Sequence, residues 1–174
     1  MNTKKKFFRI TVTAVICVLL LVCGFIGCHG FVSVSENSPE KLTATAETYF
    51  ETDDLRLLGT EKRGDYLAAL FRDKNEKGIL CVFERDSVFS SRYQVSGGKI
   101  DMESGKIASW NLRNEKGEAV LVFGGIGIPD NVKSYEFQNS GIRYNCPVDG
   151  ENVLDLFVIP DTIDINASPE MITA

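Results

Sequence analysis

The chain has 174 residues, 44% of them hydrophobic and 25% charged, with a formal net charge of −5. That balance belongs to a folded protein rather than a disordered one, and the roughly 140 residues after an apolar N-terminus suffice for one domain with its own core. Lys4, Lys5, Lys6 and Arg9 precede the apolar stretch. Taking those four from the nineteen Lys and Arg leaves fifteen against all twenty-four Asp and Glu, so the remainder carries −9. A surface that acidic repels phosphate backbones, which excludes nucleic acid as a natural partner.

Residues 1–9 form a basic stub, and nineteen uncharged residues follow from Ile10 to Cys28. As a helix they span about 28 Å, close to a hydrocarbon core of about 30 Å. Lys and Arg sit on one flank only, which predicts a single-pass membrane segment over 10–32 with the N-terminus cytoplasmic and everything after Phe31 extracytoplasmic. Three fates stay open for this segment. As an uncleaved signal anchor it uses Cys17, Cys23 and Cys28 as small apolar residues. As a secretory signal it is cut before Glu36, with Ser33 and Ser35 as the small-x-small site, although the stretch exceeds the usual 7 to 15 residues. The third fate rests on Phe25-Ile26-Gly27-Cys28, which resembles the lipobox of bacterial lipoproteins over these four residues, with Phe25 where that family prefers Leu. The resemblance implies lipidation at Cys28, which would become the new N-terminus. Gly24 and Gly27 are spaced i, i+3, so the usual i, i+4 small-residue dimer seam is missing.

Residues 33–54 read as a polar spacer and a short helix. Ser38 is placed to cap free N–H groups, Pro39 suits the first turn and Glu40 faces the positive end of the dipole. Leu42, Ala46, Tyr49 and Phe50 continue at helical spacing, predicting an amphipathic helix that ends near Phe50. From 55 to 174 the texture changes to short β-branched and aromatic runs separated by Gly, Asn, Asp and Lys. Strands are expected at Leu55–Glu61, Tyr66–Arg72, Ile79–Glu84, Val88–Val95, Ile107–Leu112, Ala119–Phe123, Val132–Phe137, Ile142–Cys146 and Val153–Ile159. Ala108, Trp110 and Leu112 alternate with Ser109 and Asn111, as a half-buried strand requires. The expectation is a mainly β chain whose outer domain is an antiparallel β-sandwich or a compact barrel.

Two stretches resemble each other. Phe71-Arg72-Asp73-Lys74-Asn75-Glu76-Lys77-Gly78 leads into Ile79–Phe83, and Leu112-Arg113-Asn114-Glu115-Lys116-Gly117 leads into Ala119–Phe123. Arg92 and Tyr93 before Gly97 match Lys133 and Tyr135 before Gly141. The offset is about 40 residues, which suggests two related hairpin units; any Glu-Lys-Gly turn between apolar strands gives a similar pattern.

Histidine occurs once, as His29 at the membrane boundary, so the outer domain holds no Ser-His or Cys-His pair and no histidine-based zinc site. Its two cysteines, Cys81 and Cys146, are buried thiols by default and a disulfide pair if oxidised outside the cell. Gly124-Gly125-Ile126-Gly127 lacks the dinucleotide-binding spacing, and Pro129 and Asp130 follow it in a turn. Gly124, Gly125 and Gly127 are nevertheless the candidate ligand loop, because glycine permits close backbone approach. Asp53 with Asp54, Asp149 with Glu151, and Asp161 with Asp164 read as solvated turns without calcium-loop spacing. Asn166-Ala167-Ser168 matches a glycosylation acceptor, with Pro169 directly after it. Trp110 is expected in the core rather than on a ligand platform. No cofactor is implied. These features favour a non-catalytic binding or accessory module of the bacterial envelope, anchored in the membrane and facing an envelope protein partner. The alternative is an envelope hydrolase using paired carboxylates.

Overall fold

The computed structural model describes residues 15–24, 33–87, 90–160 and 167–173. Helix α1 covers 15–24 and α2 covers Pro39–Phe50. Ten strands follow: β1 Arg56–Arg63, β2 Tyr66–Arg72, β3 Gly78–Arg85, β4 Tyr93–Met102, β5 Ile107–Arg113, β6 Ala119–Gly125, β7 Val132–Asn139, β8 Ile142–Pro147, β9 Val153–Ile159 and β10 Glu170–Thr173. The ten residues of α1 span about 15 Å, and among the described residues no helix is long and apolar enough to cross a membrane. The rest of the expected 10–32 segment, with Cys28 and His29, lies outside the described residues, as do the stub 1–9, Asp161, Asp164 and Asn166.

Strand pairing is antiparallel throughout and forms three sheets, ordered β1-β2-β3-β4, β5-β6-β9 and β10-β7-β8. None closes, which removes the barrel from the expected architectures. Apolar alternation decides how the sheets stack. Leu67, Ala69, Phe71, Ile79, Cys81 and Phe83 point from the first sheet toward Leu42 and Ala46 of α2. Ala68, Leu70, Leu80 and Val82 point the other way, onto Val120, Val122 and Leu156 of the second sheet. Leu121 and Phe123 then leave the second sheet's far face to meet Tyr135, Phe137 and Cys146 of the third. The order is helix, sheet, sheet, sheet. Strands β2 and β6 lie inside this pile with both faces covered, which is why Tyr-Leu-Ala-Ala-Leu-Phe and Ala-Val-Leu-Val-Phe are unbroken apolar runs.

Helix α2 has the predicted bounds, but Ser38 makes no side-chain capping bond. Its carbonyl instead accepts the Lys41 and Leu42 N–H groups, each at 3.0 Å. At the other end Glu51 takes the left-handed conformation, φ 52°, and the Glu47 carboxylate receives the Leu55 N–H at 3.0 Å, turning the chain into β1.

The strand expected at Val88–Val95 is displaced: β4 starts at Tyr93 and runs to Met102, with 88–89 outside the described residues. Gly97 and Gly98 lie within it rather than in a turn. A Cβ on Gly97 would meet the Trp110 ring at 2.5 Å, and one on Gly98 would meet the Leu80 carbonyl oxygen at 2.0 Å and the Phe50 ring at 2.8 Å. Trp110 therefore packs over one side of the β4 backbone and Phe50 over the other. A register shift between Val82 and Phe83 marks the bulge at this point. Strand β10 had no expected counterpart, being four exposed residues on the rim.

The two hairpin turns bond alike. Asp73 Oδ1 accepts the Asn75 and Lys77 N–H groups, both at 2.8 Å, and Asn114 Oδ1 accepts those of Lys116 and Glu118 at 3.0 and 2.9 Å. Positive φ falls at Glu76 (61°) and Gly117 (81°). Asp73 thus corresponds to Asn114 and Glu76 to Gly117, so Gly78 and Gly117 are not equivalent. The third strand of the second unit is β9, which pairs with β6 as β4 pairs with β3. Lys133 and Tyr135 lie on β7 in the third sheet and are not the counterparts of Arg92 and Tyr93.

Two side chains of β1 seal the edge of β9. Arg63 Nη1 donates to the Leu156 carbonyl at 3.1 Å, and the Glu61 carboxylate accepts the Leu156 N–H. One peptide of the second sheet is thereby held by the first sheet without a backbone ladder.

Candidate functional site

Gly124 and Gly125 lie inside β6 and are buried. A Cβ on Gly124 would sit 3.2 Å from Leu80 Cδ1, and one on Gly125 would sit 2.9 Å from Ile128 Cδ1. Gly127 has φ +59°, and its Cβ would strike Ser104 Oγ. These glycines let β6 approach the first sheet and let the following turn close; packed side chains fill the space where a ligand would stand.

Cys81 and Cys146 are free thiols in different layers, Cys81 between α2 and the first sheet and Cys146 between the second and third. Burial pushes the Cys81 thiol well above its ordinary value of 9.0. Cys146 is also raised by burial, partly offset by its hydrogen bond with Tyr135. Neither environment favours the thiolate that a nucleophile needs. Trp110 packs in the layer between the first two sheets.

The acidic pairs do not converge. Asp53 bonds Lys74 Nζ at 2.8 Å, an exposed pair that holds its carboxyl below 3.8. Glu151 lies 3.8 Å from Arg72 Nη2. Among the described residues no three acidic, thiol or imidazole groups gather as metal ligands. Glu61 and Asp155 are electrostatic neighbours, and burial first, then the Asp155 charge, lifts the Glu61 carboxyl above 4.5. Both are engaged in the fold, Glu61 with Leu156 and Asp155 Oδ2 with the Tyr135 hydroxyl at 2.8 Å.

A different place has the shape of a binding site. A groove of about 400 Å³ runs beside the β3–β4 end of the first sheet, lined by Glu84, Arg85, Asp86, Ser87, Gln94, Val95 and Ser96, with Glu115 reaching in from the β5–β6 turn. Asp86 is buried, its carboxylate taking Gln94 Nε2 at 2.5 Å and its N–H donating to the Arg92 carbonyl at 2.8 Å. Glu84 accepts the Tyr66 hydroxyl at 3.1 Å, and burial pushes Tyr66 up to about 12. Arg85 is turned aside to Asp65, with Nε 3.1 Å from Oδ1, and Lys116 approaches the same carboxylate at 3.3 Å. The groove thus places three carboxylates, Glu84, Asp86 and Glu115, beside Arg85 and the neutral side chains of Ser87, Gln94, Val95 and Ser96. Sequence reasoning missed it because the residues come from two strands and a distant turn. A smaller cleft of about 120 Å³ on the third sheet is lined by Glu136, Arg143, Ser168 and Glu170 among others.

The groove adjoins the place where the chain joins the domain. Val34 pairs with Tyr93 through two backbone bonds of 2.8 Å each, and Ser33 is buried. Glu36 continues the attachment, accepting the Tyr93 hydroxyl at 3.2 Å and pairing with Lys62.

Comparison with known proteins gives no match among protein families, curated proteins or solved structures.

Proposed function

We propose that this chain is a membrane-anchored, extracytoplasmic binding module of the cell envelope whose acidic groove receives its ligand. The groove lined by Glu84, Asp86, Ser87, Gln94, Ser96 and Glu115 carries the reading, because it combines concavity, charge and hydrogen-bonding capacity without a nucleophile–base pair. The anchor reading draws on the uncharged stretch Ile10–Cys28 and its one-sided basic flank. In α1 the side chains of Val15, Ile16, Val18, Leu19, Leu20, Leu21 and Val22 are 47–73% exposed, an apolar surface that the domain leaves uncovered. Lipidation at Cys28 is the variant of this anchor that the lipobox resemblance suggests. The carboxylate hydrolase is the weaker reading, because Glu61 and Asp155 hold the join between sheets.

The test is protease treatment of intact cells followed by detection of the acidic domain. Digestion without lysis supports the topology; survival until the cells are opened, with known surface proteins digested, refutes it. Capture from detergent extracts by the full chain and by a form cut before Ser33 then assigns partners to the domain or to the anchor.

A further inference from the structure

We propose that the outer edge of β8 pairs with β8 of a second copy of the chain, joining two three-stranded third sheets into one across a two-fold axis opposite Tyr144. The inference goes beyond the ligand groove and does not depend on it. Strand β8 is the outer strand of its sheet, and its hairpin fixes which groups face outward. Asn139 and Ile142 flank a tight turn with positive φ at Ser140 (49°) and Gly141 (80°), which makes them a hydrogen-bonded pair. The Val148 N–H donates to the Lys133 carbonyl at 3.0 Å, keeping the same alternation to the end of the strand. Arg143, Asn145 and Pro147 therefore turn their backbone groups away from β7. Among the described residues nothing bonds the outward N–H of Arg143 or Asn145.

Charge and backbone chemistry select the register. With the axis opposite Arg143, two guanidinium groups meet directly across the join, which is unfavourable. With the axis opposite Asn145, Arg143 falls opposite Pro147, which has no N–H to give. With the axis opposite Tyr144, Arg143 and the second copy's Asn145 exchange N–H···O bonds, as does the symmetric pair. Each Arg143 then faces an amide while its own charge stays paired with Glu136 Oε2 at 3.3 Å. The inward side chains support the same register. Phe137 and Tyr144 stack with centroids 4.7 Å apart and ring planes within 3°, close to the spacing of adjacent strands, about 4.8 Å. The second copy's Tyr144 continues that ladder from the outer face of Tyr144. Ile142, 58% exposed, comes to lie against the second copy's Cys146. The neighbouring edge of β9 is closed to such pairing at Leu156, whose peptide Arg63 and Glu61 already hold.

Sedimentation equilibrium of the full chain in detergent micelles reads the mass over a dilution series, and amide exchange of the 15N-labelled chain follows Arg143 and Asn145. The expected result is a dimer that dissociates on dilution, with both amides slow to exchange in the dimer and fast in the monomer. Asn145→Pro removes an outward N–H and no backbone bond to β7, so the hairpin keeps its ladder. By symmetry both copies lose that donor, and the dissociation constant should rise at least about tenfold. Met171→Pro changes β10, on the opposite edge of the same sheet, and should leave the constant unchanged. Tyr144→Lys sets two ammonium groups face to face across the axis and should also yield monomer. A parent that stays monomeric up to about 1 mM overturns the proposal. A dimer that Asn145→Pro leaves unchanged does so too, because the contact then lies in the anchor or on another surface. Slow exchange of the Arg143 and Asn145 amides in the monomer is the third refuting result, since the chain itself then covers the edge. Protease digestion of intact cells bears on location alone, and either outcome there leaves the dimer result standing.

Discussion

Replacing Glu61 by Gln and by Ala separates two opposed contributions at the join between β1 and β9. The folded chain raises the Glu61 pKa through burial and the Asp155 charge, so the proton is held more tightly folded than unfolded. The stability this gives is fully present below the unfolded value near 4.5 and is lost as pH rises through the higher folded value. At pH 7 the ionised group is therefore a net cost to the fold. Glu61→Gln removes that cost while leaving an oxygen to accept the Leu156 N–H, so it should be more stable than the parent at pH 7. Glu61→Ala removes the acceptor as well and leaves the Leu156 N–H without it, which costs about 1–3 kcal/mol. The charge effect is common to both variants, so the gap between them reports the hydrogen bond together with the side-chain packing that Ala also loses. For a chain of this size that gap corresponds to a melting difference on the order of 2–12 °C. Thermal unfolding of parent, Gln and Ala forms at pH 7, repeated through acid pH, is the assay. The Gln advantage should fade as pH falls, because parental Glu61 becomes neutral too. A Gln variant less stable than the parent at pH 7, or Gln and Ala variants that melt together, would refute the account of this join.

Further predictions concern the layers themselves. Phe123→Ala empties a site where the rings of Tyr135, Phe137 and Phe157 lie 4.5–5.9 Å away centroid to centroid; a loss of about 3–5 kcal/mol in denaturant unfolding is expected. Gly97→Ala forces a side chain into the Trp110 ring at a φ of +156°, so it should cost about 1–3 kcal/mol and shift the emission of the chain's single tryptophan. Cys81 should resist thiol reagents until the protein unfolds, because its thiol is buried and its pKa raised; rapid labelling of the native chain would contradict its placement. Burial raises the Tyr135 pKa far above 10.0, with the Asp155 hydrogen bond adding to the effect, so absorbance titration should find this phenol un-ionised until alkaline unfolding.

How much of this was legible depends on how local the cause is. Strand β9 and helix α2 have the bounds expected of them because Val153–Ile159 and Pro39–Phe50 carry their own pattern and punctuation. A Gly-Gly pair is locally the punctuation of a turn, yet Gly97 and Gly98 lie within β4, in contact with Trp110 and Phe50 from other elements. Gly124 and Gly125 suggested a loop for the same local reason, whereas they lie inside β6 close against Leu80 and Ile128. The apolar runs of β2 and β6 announced strands with no polar face, but only the stacking order explains why. The groove left no trace in the sequence, because Glu84, Asp86 and Glu115 are ordinary surface carboxylates until three segments bring them together.

The pile repeats itself in one direction: Leu67, Ala69 and Phe71 face α2, and the residues 41 positions later, Ala108, Trp110 and Leu112, face the first sheet. Like-oriented sheets laid one on another describe a structure that could, in principle, continue indefinitely as a fibre. Here growth stops at both ends. A helix, which offers no β surface, closes one side, and the far face of the third sheet closes the other with Glu136 bonded to both Arg143 and Asn145. A finite particle is the outcome, and those terminal groups are where substitutions toward apolar residues would first let one pile stack on another.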